Sequence, residues 1–243
     1  MFNIKEEQIT TEDGVKIAFN HCNNGLESVL IFLPGWFMTK DSKSFRQMGE
    51  AFSHKTDVIC MDFRGHGKSS GFYTFTAKEI KDIKPVIDYA AKQYKKIYLI
   101  GFSLGASLSL MYGASDERIN KIIAVSPATD FGKIENHFWK VEAWLPTLQK
   151  LELKRWFSIR PTLPFHKKVK PIDIIENVKC PTLFLAGEKD PTVYPWHTEK
   201  LYKKAICKKK YKLFKNCNHA EDLFIQEKSK FIAMCYSWLF DEK

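Results

Sequence analysis

Short apolar runs alternate with helix-patterned segments along most of the chain, and this alternation limits the possible folds more than any other feature. Val29–Leu33, Asp57–Asp62, Ile97–Gly101, Lys121–Ser126, Thr182–Ala186 and Tyr211–Phe214 read as strands. Most are almost continuously apolar, as strands covered on both faces are. Between them, 43–54, 76–94, the run from Gly101 to about Ala114, 196–206 and 224–240 read as helices. Strands separated by helices predict an α/β fold, a mostly parallel central sheet with helices on both faces. Asp13-Gly14, between two short runs in 5–21, predicts an N-terminal β-hairpin. Pro85 should bend the 76–94 helix or start its second half. Residues 130–175 break the alternation, with no clear strand and many Trp, Phe and Pro. They are expected to form a small cap inserted into one domain spanning 1–243.

With 44% hydrophobic and 14% aromatic residues, 243 residues can bury a large core, which excludes a disordered chain. The longest uncharged stretch, Ile97–Ser115, holds three Gly and four Ser and no sustained apolar run, so no integral membrane segment is expected. The start, MFNIKEEQIT, has no apolar core of a signal peptide. Six cysteines are scattered without a C-x-x-C pair, so the chain is expected to be cytoplasmic, with reduced thiols and no zinc site. The net charge is +10, yet only Arg46, Arg64, Arg118, Arg155 and Arg160 among 38 basic residues are arginine. A lysine excess without a recognition motif reads as a solvated surface, and no nucleic-acid partner is expected.

Gly101-Phe102-Ser103-Leu104-Gly105 follows the β-type run KIYLI and opens the helical run ASLSLMY. That is the setting of a nucleophile elbow, in which glycines let strand and helix approach closely and the serine is held at the tip. A serine hydroxyl needs a base, and the base needs an orienting acid. Asp190 follows the strand 182–186 and His219 follows 211–214, so both fall at strand ends, where open α/β sheets place their sites. Asp130 is the alternative acid, since it follows the strand 121–126. His66 reads as structural within R-G-H-G, and His21, His54, His137, His166 and His197 read as surface or capping residues. An oxyanion needs backbone donors, which Leu104 would supply together with Trp36, or with Phe37 in its place.

Five segments resemble the α/β-hydrolase fold family: L-P-G-W at 33–36, D-x-R-G-H-G-K-S at 62–69, G-F-S-L-G at 101–105, C-P-T-L-F-L-A-G-E-x-D at 180–190 and N-H at 218–219. Within the family the chain is similar to the small esterase and serine-aminopeptidase-like branch, which includes lysophospholipase- and feruloyl-esterase-like members. The resemblance implies Ser103 as nucleophile, Asp190 as acid, His219 as base, and the N–H groups of Trp36 and Leu104 as oxyanion donors. Many relatives carry His-Gly where this chain has Pro34-Gly35. The implied activity is hydrolysis of a small or medium acyl ester through an acyl-enzyme. An amide, peptide N-terminus or thioester is the alternative substrate for the same triad. A non-catalytic ligand-binding member of the fold would be expected to lack one of the three residues.

Phe37, Phe102, Trp139, Trp144 and Trp156 are candidates for an acyl pocket, with packing of the cap onto the core as the alternative role for the three tryptophans. Basic residues of the insertion, Arg160 and Lys170 among them, read as a solvated face or as a surface for anionic substrates. No H-E-x-x-H, P-loop or G-x-G-x-x-G is present, so no cofactor or metal is implied.

Overall fold

The computed structural model describes residues 3–134, 159–162 and 169–241. β1 (Lys5–Thr10) and β2 (Lys16–Cys22) form the expected hairpin, with Gly14 in the left-handed region at its turn. β3 (Ser28–Leu33), β4 (Asp57–Met61), β5 (Lys96–Phe102), β6 (Ile119–Val125), β7 (Thr182–Gly187) and β8 (Lys209–Phe214) run parallel in the order β4-β3-β5-β6-β7-β8. The hairpin joins this sheet through antiparallel pairing of β2 with β4, giving eight strands among the described residues.

Side chains alternate across the strands and so divide the core between two faces. Val29, Ile31 and Leu33 of β3, with Ile97 and Leu99 of β5, pack against α2 (Ile80–Ala91), α3 (Leu104–Gly113) and α5 (Pro195–Lys204), which follows the short α4 (Pro171–Ile174). Leu30 and Phe32, with Tyr98, Ile100 and Phe102, pack against α1 (Lys43–Phe52), α6 (Asp222–Gln226) and α7 (Lys228–Phe240). Burying one such Leu, Ile or Phe contributes about 1.5–3 kcal/mol. Among the described residues no helix is long and apolar enough to cross a membrane.

Two boundaries depart from the sequence expectation. The 224–240 segment is two helices, because the backbone of Glu227 leaves the helical region at φ −132 and ψ 49. β8 begins two residues before its apolar run, at Lys209, whose ammonium donates to Tyr202 O and Ala205 O at the end of α5, while Lys210 faces water and the ladder still pairs with β7. Most of the expected 130–175 insertion, including Trp139, Trp144 and Trp156, lies outside the described residues. Its flanks meet: Ile172 N–H donates to Thr129 O at 3.1 Å, and Lys170 pairs with Asp130 at 3.0 Å.

Candidate active site

β5, β6, β7 and β8 are neighbours, and the loops leaving their carboxyl ends carry Ser103, Ser126, Asp190 and His219 side by side. Ser103 is half-buried, with φ 52 and ψ −110, between the end of β5 and the first residue of α3. A non-glycine residue there is strained by about 1–3 kcal/mol. Its N–H continues the sheet ladder to Val125 O at 2.8 Å, and its C=O accepts Ser107 N–H at 3.1 Å. The flanking glycines explain how the strain is held. A Cβ on Gly101 would collide with the backbone of Gly105, and one on Gly105 would collide with Leu33 O beneath it. Leu104 is the first residue of α3, so its N–H has no acceptor within the helix.

Asp190 is buried in the loop after β7, its Oδ1 accepting Thr192 N–H and Val193 N–H, both at 2.9 Å. Its Oδ2 lies 2.6 Å from His219 Nδ1. With Oδ2 as acceptor, Nδ1 carries the proton and Nε2 is left as the basic nitrogen. The His219 loop is tightly turned, with Asn216 at φ 59 and Ala220 at φ 51. Ala220 N–H donates to Ser126 Oγ at 3.2 Å, and buried Glu221 accepts a hydrogen bond from Ser44 Oγ of α1. Asp130 is instead engaged by Lys170 and Gly132 N–H.

The loop after β3 turns at residues 35–38, closed by Met38 N–H to Gly35 O at 3.1 Å, with Phe37 at φ 59. Trp36 is half-buried, 4.4 Å from the Phe37 ring and stacked at 6.2 Å on Tyr73, which meets His66 edge-on at 5.0 Å. His66 Nδ1–H donates to Arg64 O at 3.1 Å, and burial lowers the His66 pKa to about 4, so the ring is neutral. Asp62 fastens this turn to the Trp36 loop, accepting Lys40 N–H at 2.7 Å and Lys68 N–H at 3.0 Å. Burial raises its pKa to about 6.

Several sequence expectations are corrected. Phe102 does not line a pocket: it is fully buried, 5.0 Å edge-on to Phe45 and stacked on Phe32, because the alternation of β5 turns it to the α1 face. Arg160 is not part of a solvated face, since its guanidinium donates to Ser69 O and its backbone pairs with Gly65 and Tyr73. His21 and His197 are buried rather than capping. His21 binds Tyr89 and Tyr94, and His197 Nδ1 lies 2.7 Å from Thr129 Oγ1. Ser126 escaped the sequence reading, and its one signal is a serine ending an apolar strand just before Pro127. Among the described residues no group of three or more His, Cys, Asp or Glu could hold a metal ion.

This architecture defines a class. A family model of the alpha/beta hydrolase fold matches residues 28–141, and the chain has that fold. It superposes on an esterase from Pyrococcus furiosus, Pf2001, with a TM-score of 0.78 at 20% identity, covering 98% of this chain and 91% of that one. The "AB hydrolase superfamily protein YisY" of Bacillus subtilis is 27% identical over 263 residues, 91% of this chain and 94% of its own. A Wickerhamomyces anomalus protein named "Probable alcohol acetyltransferase" is 34% identical over 95 residues, which span 39% of this chain and 27% of that relative. The chain thus covers well under two thirds of the latter protein.

Proposed function

We propose that this protein is a serine hydrolase of carboxylic esters with small or medium acyl groups. The observation that carries the reading is the 2.6 Å bond from His219 Nδ1 to Asp190 Oδ2, on the sheet edge where Ser103 occupies its strained turn. In this reading His219 Nε2 takes the Ser103 proton as Oγ attacks the ester carbonyl, then returns it to the departing alcohol. Water activated by the same nitrogen releases the acid. Asp190 fixes the imidazole tautomer and stabilises the imidazolium. The N–H groups of Leu104 and Trp36 receive the oxyanion, and loss of one such donor costs about 3 kcal/mol of transition-state stabilisation. A cap contributed by residues 130–175, most of which lie outside the described residues, and an acyl site bordered by Phe37 belong to the same proposal.

The test is hydrolysis of p-nitrophenyl esters from acetate to palmitate, with Ser103→Ala alongside and a fluorophosphonate probe for the nucleophile. Turnover should peak at a short or medium chain and vanish in the variant, and the probe should label only the parent. Absence of both turnover and labelling would overturn the reading. Labelling without ester turnover would move the substrate to amides or thioesters.

A further inference from the structure

Two adjacent parallel strands end in the same unusual way. β5 ends at Phe102 and β6 at Val125, which are register partners, and the next residue of each is a serine at φ 52. Ser103 is the proposed nucleophile. Ser126 is fully buried, with its N–H on Leu185 O at 2.8 Å, so its backbone is held between β5 and β7. Its side chain points the same way as the chemistry: Oγ accepts the N–H of Ala220, the residue that follows His219. A short continuous path results. Ser103 N–H donates to Val125 O, Val125 is bonded to Ser126, and Ser126 Oγ holds the residue bonded to His219.

We infer that Ser126 is a positioning residue, which uses its Oγ···H–N bond to Ala220 to fix the height of the His219 loop against Ser103. The inference rests on the serine-hydrolase reading above. Asp190 controls the tautomer and tilt of the imidazole from the Nδ1 side, but a single bond at Nδ1 does not by itself fix the height of the loop that carries the ring. A second constraint is needed on the backbone of the loop, and Ala220, itself left-handed at φ 51, is where the structure applies it. The strain at Ser126 is understandable on the same ground. An extended residue at that point would continue β6, whereas the left-handed turn accompanies a hydroxyl directed at the β8 loop.

Ser126→Ala and Ser126→Gly both remove the acceptor, and the glycine variant also relieves the positive φ. Each should lower kcat by roughly ten- to a hundredfold, as small misplacements of a catalytic group do. KM should hold, and the low-field proton resonance of the Asp190–His219 bond should persist. Fluorophosphonate labelling should slow in parallel. Unchanged kcat in either folded variant overturns the inference, as does a lowered melting temperature with the parent's kcat. Loss of the low-field resonance along with activity also overturns it, since Ser126 would then be supporting the acid–base pair. A parent that is neither labelled nor active sinks the hydrolase reading and this inference with it, whereas an active parent with indifferent variants sinks the inference alone.

Discussion

Two histidine–carboxylate sets sit at opposite edges of the same sheet. At the carboxyl edge, the described residues hold His219 through Nδ1, on Asp190 Oδ2. At the amino edge, His21 Nε2 lies 2.6 Å from Tyr94 Oη, which donates to Asp57 at 2.9 Å, and His21 Nδ1 lies 3.0 Å from Tyr89 Oη. Because Tyr94 donates to Asp57, its oxygen accepts from His21 Nε2–H, and Nδ1 accepts from Tyr89. Both ring nitrogens of His21 are therefore used, and burial lowers its pKa. The residue types resemble a catalytic relay, yet no nitrogen is left for a substrate.

The backbones differ in the same sense. Among the described residues, the non-glycine positions with positive φ are Phe37, Phe75, Thr76, Ser103, Ser126, Asn216 and Ala220. Each lies in a loop leaving the carboxyl end of β3, β4, β5, β6 or β8. The amino edge confines positive φ to glycine, as at Gly25. Among the described residues, positive-φ strain at non-glycine positions is thus concentrated at the edge that holds the candidate chemistry. Among the described residues, what separates the candidate site from the scaffold is a ring nitrogen not taken by a structural bond, on a strained frame, rather than the residue types involved.

The sharpest way to break this comparison is to delete each histidine in turn. His219→Ala should reduce kcat/KM by at least about 10⁴-fold with a native melting profile, since the triad acts as a unit. His21→Ala should leave kcat/KM intact and lower stability by on the order of 2 kcal/mol, because Tyr94 and Tyr89 lose their partner in a buried place. Ester kinetics and urea unfolding on both variants read the two effects. A catalytic loss in His21→Ala would dissolve the distinction between the edges.

The frame itself is tested by Gly105→Ala, whose added methyl has nowhere to go but into Leu33 O. Backbone rather than a flexible side chain is in the way, so the helix must shift off the strand. A loss of on the order of 3–4 kcal/mol in urea unfolding is expected, with activity falling along with it as the Ser103 turn relaxes. A stable, fully active variant would mean that the close approach of strand and helix does not hold the elbow.

The sheet and the elbow were legible because their signals are local. Continuous apolar runs mark buried strands, and Gly101 and Gly105 flank Ser103 at a spacing that needs no distant partner to read. Asp190 and His219 were legible from their positions just after strands. What stayed hidden depends on groups far apart in sequence. His21 looks like a surface residue of a hairpin until Tyr94, from the other side of α2, is brought against it by the β2–β4–β3–β5 order. Ser126 reads as an ordinary turn until the β8 loop arrives 94 positions later. The break at Glu227 has no glycine or proline to announce it, and the turn of Phe102 to the α1 face follows from the alternation of β5.

His66 belongs to the carboxyl edge by position but behaves like the amino edge by burial, and pH separates the two. Its folded pKa of about 4 lies below the ordinary value of 6.5, so the unfolded chain binds the proton more readily between those pH values. Its contribution to stability is present at pH 7 and is lost as pH falls from 6.5 toward 4, by about 3 kcal/mol in all. Asp62 acts in the opposite direction over an overlapping window, because its folded pKa of about 6 lies above 3.8 and protonation favours the native state there. His66→Gln removes the His66 contribution alone, so the parent's stability relative to the variant should fall by about 3 kcal/mol between pH 7 and pH 4. Urea unfolding at a series of pH values measures it. A parent–variant difference independent of pH would show that His66 does not stay neutral in the folded protein.

The smallest expected effect is the most specific to the amino edge. Tyr94→Phe keeps the ring in its place between α2 and β5 and deletes only the hydroxyl joining His21 to Asp57. Asp57 retains the N–H of Asn24 at 2.9 Å and of Leu26 at 3.3 Å, so the carboxylate is not orphaned, while His21 Nε2–H loses its acceptor in a buried place. A loss of about 1–2 kcal/mol is expected in urea unfolding, because one buried donor is left unpaired without a cavity being opened. Ester turnover should be unchanged, for Tyr94 precedes β5 and Ser103 follows it, at opposite ends of the strand, and the substitution alters no charge. A fall in kcat in this variant, with KM and folding retained, would mean that β5 transmits the state of one edge to the elbow at the other, and the two edges would have to be treated as one coupled unit.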